Sequence, residues 1–307
     1  MKGLELCRSY WENIGLPSLE DAFPQVLPRI AVGLVGEGSD CFGYDDPISQ
    51  DHDWGPGFCL WLSPADHSRF GVDLSAWYAA LPQTFMSFSR LRQTDETAGR
   101  VGVMEIGSFY SRYLGLNRPP RTIEEWRYLP ESGLAVTTNG EIFRDGPGDF
   151  TTFRSALLAY YPEDVRRKRL AAVCAAAAQA GQYNYARCLA RKDRIAALTA
   201  LSIFIDRVQS AVFLLNRRYR PYYKWTQRAM ATLPGPGGEL ASLIDTLAEG
   251  DIFRKQDAIE EISASLIREL QHQGLSTVSG DYLLPHAQSI QAQIRDDALR
   301  SAHLMGF

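Results

Sequence analysis

Apolar and polar positions follow two different periods along this chain. In the first half, apolar residues come in short runs bounded by glycine, proline and acids. The run at 30–35 is continuous and closes on Gly36, the pattern of a strand buried on both faces. A second strand begins near 51, residues 58–62 continue it or form another after Gly55-Pro56-Gly57, and a third is predicted at 101–106. Residues 134–138 and 141–144 flank Asn139-Gly140 and predict a hairpin on a type I′ turn. Residues 2–13 and 74–81 read as helices. After Gly146-Pro147-Gly148 the period becomes helical, with apolar positions three and four apart. Helices are predicted over 149–160, 162–180, 184–191, 192–216, 221–232, 238–249, 254–273 and 281–304. Asp149 and Ser279 are candidate N-caps, and Pro162 suits a first helical turn. The expected fold is α+β: a mixed sheet with flanking helices in 1–146, followed by an all-α helical bundle domain in 147–307.

Composition narrows the class. A chain of 307 residues, 45% hydrophobic and 22% charged, fits about two globular domains and excludes a disordered, collagenous or coiled-coil protein. No apolar run reaches the ~20 residues of a membrane helix. The N-terminal stretch carries Glu5 early and has no signal-peptide core, so no membrane partner is expected. The five cysteines form no C-x-x-C pair, which predicts free thiols in a reducing cytoplasm.

The net charge of -4 hides a division. Residues 1–146 hold 12 basic and 20 acidic residues, whereas 147–307 hold 20 and 16. Between Arg166 and Arg228 there are 14 basic residues against Asp193 and Asp206 alone. An acidic half suits divalent cations, and a basic segment suits phosphates.

Candidate chemistry concentrates in Gly38-Ser39 and, after eleven intervening residues, Asp51-His52-Asp53. In a strand, Asp51 and Asp53 project to one face and His52 to the other. Two carboxylates on one face repel unless a cation lies between them, and Mg²⁺ prefers few carboxylates plus phosphate oxygens. A Gly-Ser turn after a buried strand offers N–H groups and a hydroxyl to phosphate. Glu105, in an apolar strand, is costly to bury unless it is paired or binds a cation. Three strand carboxylates beside such a turn meet the requirement of two-metal nucleotidyl transfer.

This pattern resembles the nucleotidyltransferase superfamily typified by DNA polymerase beta and kanamycin nucleotidyltransferase. The chain also resembles a narrower bacterial family, the domain of unknown function DUF4037. The residues that carry this likeness are Gly36-Glu37-Gly38-Ser39, Asp51-His52-Asp53-Trp54-Gly55-Pro56, Asn139-Gly140-Glu141, Gly181-Gln182-Tyr183-Asn184, Leu215-Asn216 and Pro221-Tyr222-Tyr223-Lys224-Trp225. The resemblance implies a nucleotidyltransferase-like first domain and a helical second one. Asp51, Asp53 and Glu105 would hold Mg²⁺ or Mn²⁺, and Gly38 and Ser39 would contact the phosphates of a nucleoside triphosphate, ATP being the expected donor. Glu37 departs from the simplest motif, which has a glycine or small residue there.

Supporting residues are read as follows. Glu141 is either a rival third carboxylate, a general base for the acceptor hydroxyl, or a surface acid of the hairpin. Asp45-Asp46 reads as a solvated turn before Pro47. Arg187 and Lys224 are the candidate phosphate contacts from the basic segment. Tyr222, Tyr223 and Trp225 read as packing residues, with stacking on a base as the alternative. The expected partners are a nucleoside triphosphate and an acceptor that is a small molecule, a protein or tRNA. The alternatives are a non-catalytic nucleotide-binding or regulatory module and a toxin–antitoxin component of the same fold.

Overall fold

The computed structural model describes residues 1–50, 54–90 and 99–306. Helix α1 (Gly3–Tyr10) buries Leu6, Cys7 and Tyr10 and runs through a π-helical turn at Trp11–Gly15 into α2 (Leu16–Ala22). The apolar run at 30–35 becomes β1 (Ile30–Leu34), buried throughout, as is β2 (Cys59–Leu62). Helix α3 (Pro64–Ala80) follows β2 after Ser63 alone, whose hydroxyl accepts from the Asp66 amide. A short pair, β3 (Thr84–Phe85) and β4 (Phe88–Ser89), precedes β5 (Gly102–Glu105) and α4 (Ile106–Leu114). Then come α5 (Ile123–Tyr128), α6 (Glu131–Thr138), β6 (Glu141–Asp145) and α7 (Asp149–Leu158).

The main sheet has the order β5-β2-β1-β6. Strand β1 runs antiparallel to β2 and β6, while β2 and β5 are parallel, so the sheet is mixed as expected. Its register decides which residues can meet. Gly33 lies opposite Cys59, Cys59 opposite Gly102, and Leu34 opposite Glu141. One end of the sheet therefore gathers the end of β1 and the starts of β2, β5 and β6. At the other end Ile30 faces Leu62, and Leu62 faces Glu105.

Aromatic rings fill the space on the sheet. Trp61 stacks on Phe150 with centroids 4.0 Å apart, and Tyr110 on Phe153 at 3.6 Å. Rings of this size bury ~150–250 Å² each and dominate a core of this kind.

Two expectations need correction here. Residues 134–138 are helical, not a strand, and they form the buried last turns of α6. A short apolar run looks the same whether it is buried as strand or as helix. The Thr137 and Thr138 hydroxyls turn back to the carbonyls of Gly133 and Leu134, as threonines do inside helices. Asn139-Gly140 is consequently a helix-to-strand corner. The N-terminus of α7 is capped by Asp145, not Asp149: the Asp145 carboxylate accepts from the Gly148 and Thr151 amides at 2.8 and 2.7 Å.

The chain divides into two compact units, Met1–Pro120 with Leu129–Ala159, and Arg121–Tyr128 with Tyr160–Phe307. Helix α7 belongs to the first and α5 to the second. The second unit is all-helical: α8 (Glu163–Ala177), a π-helical stretch (Ala178–Tyr185), α9 (Ala186–Ala190), α10 (Arg194–Leu215), α11 (Tyr223–Met230), α12 (Gly237–Glu249), α13 (Ile252–His272), α14 (Leu283–Ala292) and α15 (Asp297–Ser301). The single helix expected over 281–304 is thus two, and α14 begins after Tyr282 rather than at Ser279. Among the described residues, α10 is long and apolar enough to cross a membrane, but 56% of its most apolar window is buried inside the protein.

Candidate functional site

The loop that leaves β1 is held from several sides. Asn139 and Gly36 exchange hydrogen bonds, and the Gly140 amide donates to the Cys41 carbonyl at 2.8 Å. Gly140 has φ +60°, and a Cβ there would run into the Leu34 carbonyl, so only glycine fits this corner. Arg154 fixes the same corner, donating to the carbonyls of Asn139 at 2.7 Å and Gly140 at 3.4 Å. Within the loop, the Tyr44 amide donates to the Ser39 carbonyl and that of Gly43 to Asp40. The backbone of the Gly38-Ser39 turn is therefore fixed.

Asp40 is buried beneath the turn. Its Oδ1 accepts from the Cys41 amide at 2.9 Å and pairs with Arg100 Nη2 at 3.1 Å. The Cys7, Cys41 and Cys59 thiols lie in the same region, and burial pushes all three up, that of Cys59 to about 12. They stay protonated at neutral pH and serve as packing groups rather than nucleophiles. Asp45 is not a solvated turn residue: it is 3% exposed. Its Oδ2 accepts from the Gly3 amide at 2.8 Å and the Trp54 indole at 3.2 Å, and Lys2 pairs with Oδ1. Asp46 accepts from the amides of Ile48 and Ser49 and closes the next turn.

The expected carboxylates fall in three places. Asp51, His52 and Asp53 lie outside the described residues. Glu105 ends β5 and caps α4, accepting from the Gly107 amide at 3.0 Å and the Ser108 hydroxyl at 2.6 Å. By register it stands at the sheet end away from Gly38 and Ser39. Glu141 starts β6 at the same end as the turn, half-exposed and ion-paired with Arg8, whose guanidinium lies 5.1 Å from the Phe143 ring centre. Among the described residues, no three His, Cys, Asp or Glu side chains converge into a metal-binding group. The structure thus brings Gly38, Ser39 and Glu141 to one end of the sheet and leaves Glu105 at the other. Arg100, Asp40 and Arg8 were missed in sequence. Their partners are 60 and 133 residues distant, and only the strand register reveals them.

Residues 126–226 match the domain of unknown function DUF4037. No curated protein matches the chain. A nucleotidyltransferase-like protein from Exiguobacterium sibiricum is similar in structure, with a TM-score of 0.36 and 14% identity over 84% of this chain and 75% of that one.

The DUF4037 stretch holds the Asn139-Gly140 corner, Glu141 and most of the basic segment. Much of that segment is engaged within the second unit. Arg166 and Arg217 both bind Glu163 at 2.7 Å. Burial would raise the Glu163 carboxyl, but these hydrogen bonds and charges hold it down at about 2. Lys168 is wholly buried and donates to Gln291 Oε1 and to the carbonyls of His303 and Leu304, and burial pulls it down to about 8. Gln182, within the matched stretch, binds Glu260, the Asp281 carbonyl and the Leu283 amide and so ties three segments together.

Arg187 is exposed and stacks on the Tyr183 ring at 4.7 Å, and Lys224 is exposed on α11. Tyr222 and Tyr223 are 53% and 72% exposed, which corrects their reading as packing residues.

Proposed function

We propose that the chain is a metal-dependent nucleotidyltransferase. It would transfer a nucleoside monophosphate from a nucleoside triphosphate, ATP being the expected donor, to a hydroxyl of an acceptor and release pyrophosphate. The observation that carries this reading is the convergence of the fixed Gly38-Ser39 turn and Glu141 at one end of the sheet. In sequence, Asp51 and Asp53 precede β2, whose first residue lies at that end. DUF4037 is a family of unknown function and supplies no substrate.

In this reading the Gly38 and Ser39 amides and the Ser39 hydroxyl contact the β and γ phosphates. Asp51 and Asp53 would hold Mg²⁺ or Mn²⁺, with Glu141 rather than Glu105 as the third carboxylate. What favours Glu141 is its register with Leu34, beside the turn, whereas Glu105 is occupied in capping α4. The metal, when bound, neutralises charge on the triphosphate and on the departing pyrophosphate. Arg187 and Lys224 are kept as candidate phosphate contacts of the second unit, and the acceptor is a small molecule, a protein or tRNA. The reading puts the protein in the cytoplasm, where its free thiols persist.

The test is incubation of the full chain with each labelled triphosphate and Mg²⁺ or Mn²⁺, followed by assay of label transfer and pyrophosphate release. The expected result is transfer that Asp53→Ala abolishes while the fold is kept. Undiminished transfer in that variant overturns the assignment. Nucleotide binding without turnover would instead identify a non-catalytic binding module.

A further inference from the structure

We infer that one end of the helical second unit docks on an anionic phospholipid surface through the α9–α10 and α12–α13 turns. Hydrogen bonds set both turns at that end. Gln273, just past α13, donates to the Leu215 carbonyl at the end of α10 at 3.3 Å, so the two helices finish together. Further back, Gly181 lies against the Phe204 ring of α10, and the neighbouring Gln182 donates to Glu260 of α13 at 2.7 Å. The π-helical stretch, α10 and α13 are level there. Helix α10 starts ten residues before Phe204 and α13 eight residues before Glu260, about 15 and 12 Å at ~1.5 Å per residue. Both N-termini, with the turns that feed them, therefore stand at one end of the unit.

Each turn leads into large apolar side chains that face solvent. Ile195 and Leu198 of α10 are 75% and 62% exposed, and Ile252 and Phe253 of α13 are 48% and 77% exposed. Apolar residues exposed singly need no explanation, but four gathered at one end of one unit do. Ile195 and Leu198 stand three apart and so share a helix face. Cations accompany them: Arg191, Lys192 and Arg194 are all exposed, with Asp193 the one acid among them. Asp193 is engaged in capping α10 through the Ala196 amide, and Asp251 in capping α13 through the Arg254 amide. Residues 191–198 and 249–255 together hold five basic residues against three acids, so the fitting occupant is anionic. Aliphatic side chains give a nucleobase no ring face to stack on. Isoleucine, leucine and phenylalanine instead enter the boundary between headgroups and acyl chains, while flanking arginine and lysine meet anionic headgroups. Contact of this kind needs no spanning segment.

The experiment is flotation of the full chain with vesicles of phosphatidylcholine alone and of phosphatidylcholine mixed equally with phosphatidylglycerol. The expected result is binding to the anionic vesicles only, weakened by added salt. Phe253→Ser and Ile195→Ser, both at exposed positions, are each expected to lower that binding about tenfold at an unchanged melting temperature. Arg191→Glu is expected to lower it by about the same factor. Val72→Ser, at an 83% exposed position of the first unit, is expected to change nothing. Equal binding to both vesicles, binding to neither, wild-type binding by Phe253→Ser and Ile195→Ser, or a loss in Val72→Ser as large as theirs overturns the inference. Self-association that Phe253→Ser abolishes, in a chain that binds no vesicles, assigns this end to a second copy and overturns it too. Vesicle binding is measured without nucleotide, so its failure leaves the nucleotidyltransferase reading standing.

Discussion

Asn139 and Gly36 hold each other by two reciprocal hydrogen bonds across 103 residues of chain. The Gly36 amide donates to Asn139 Oδ1 at 3.1 Å, and Asn139 Nδ2 donates to the Gly36 carbonyl at 2.7 Å. The asparagine acts as a peptide-like clamp on the loop that carries Gly38 and Ser39. Asn139→Ala leaves two partly buried backbone groups unpaired, and the expected cost is about 1–3 kcal/mol of stability. Urea unfolding measures that cost. Hydrogen exchange at the Gly36 amide is expected to speed up more than exchange in the second unit.

Glu105 and Glu141 are distinguished by a pair of substitutions. Glu105→Gln weakens a helix cap, so about 0.5–1 kcal/mol is lost while metal-dependent turnover stays within a few-fold of wild type. Glu141→Gln removes an ion pair between two side chains that are each more than a third exposed, worth at most about 1 kcal/mol. Turnover, by contrast, is expected to fall at least a hundredfold. The opposite pattern, with Glu105 essential and Glu141 dispensable, would return the third carboxylate to Glu105.

That contrast shows what a sequence conveys and what it does not. The strand at 30–35 was legible because five consecutive buried residues leave a continuous apolar run. The helices of the second unit were legible because amphipathic spacing persists over many turns. The 134–138 segment was misread because Leu134, Ala135, Val136 and Thr137 are buried together, and full burial erases the period that separates helix from strand. Asp45 looked like a surface turn because its partners Lys2 and Gly3 stand more than 40 residues away. That Glu141 shares a sheet end with the turn while Glu105 stands at the other follows from the strand order, which no local pattern carries.

Lys168 sets a stability test in the second unit. Lys168→Met fills a similar volume but leaves the Gln291 side chain and the His303 and Leu304 carbonyls without their shared donor. The expected loss is about 1–3 kcal/mol, since partly buried acceptors left unpaired carry part of their desolvation cost. Thermal unfolding measures it, and limited proteolysis is expected to cut near 302–305 first.

Glu163 makes the second unit sensitive to acid. Its folded pKa, about 2, lies below the ~4.3 of an unfolded glutamate, so the folded state binds fewer protons between those values. The stability it confers is complete above about pH 5 and is lost as pH falls toward 2. Glu163→Gln is therefore expected to flatten the fall in unfolding midpoint between pH 5 and pH 2, while being less stable than wild type at pH 7. A fall as steep as that of wild type would show that other carboxylates govern acid unfolding.

The strand-to-helix connections at the Leu62 and Glu105 end have almost no slack. Ser63 alone links β2 to α3, and Glu105 is both the last residue of β5 and the cap of α4. Neither helix can swing without dragging its strand, so this end of the first unit behaves as a stiff anvil. Compliance is left to the 35–50 connection at the other end, where the Asn139–Gly36 clamp, the Gly140–Cys41 hydrogen bond, the Asp40–Arg100 pair and the Gly3–Asp45 hydrogen bond set the stiffness. A ligand entering beside Gly38 would work against all of these ties together, so the force needed to admit it is distributed over side chains from distant parts of the first unit.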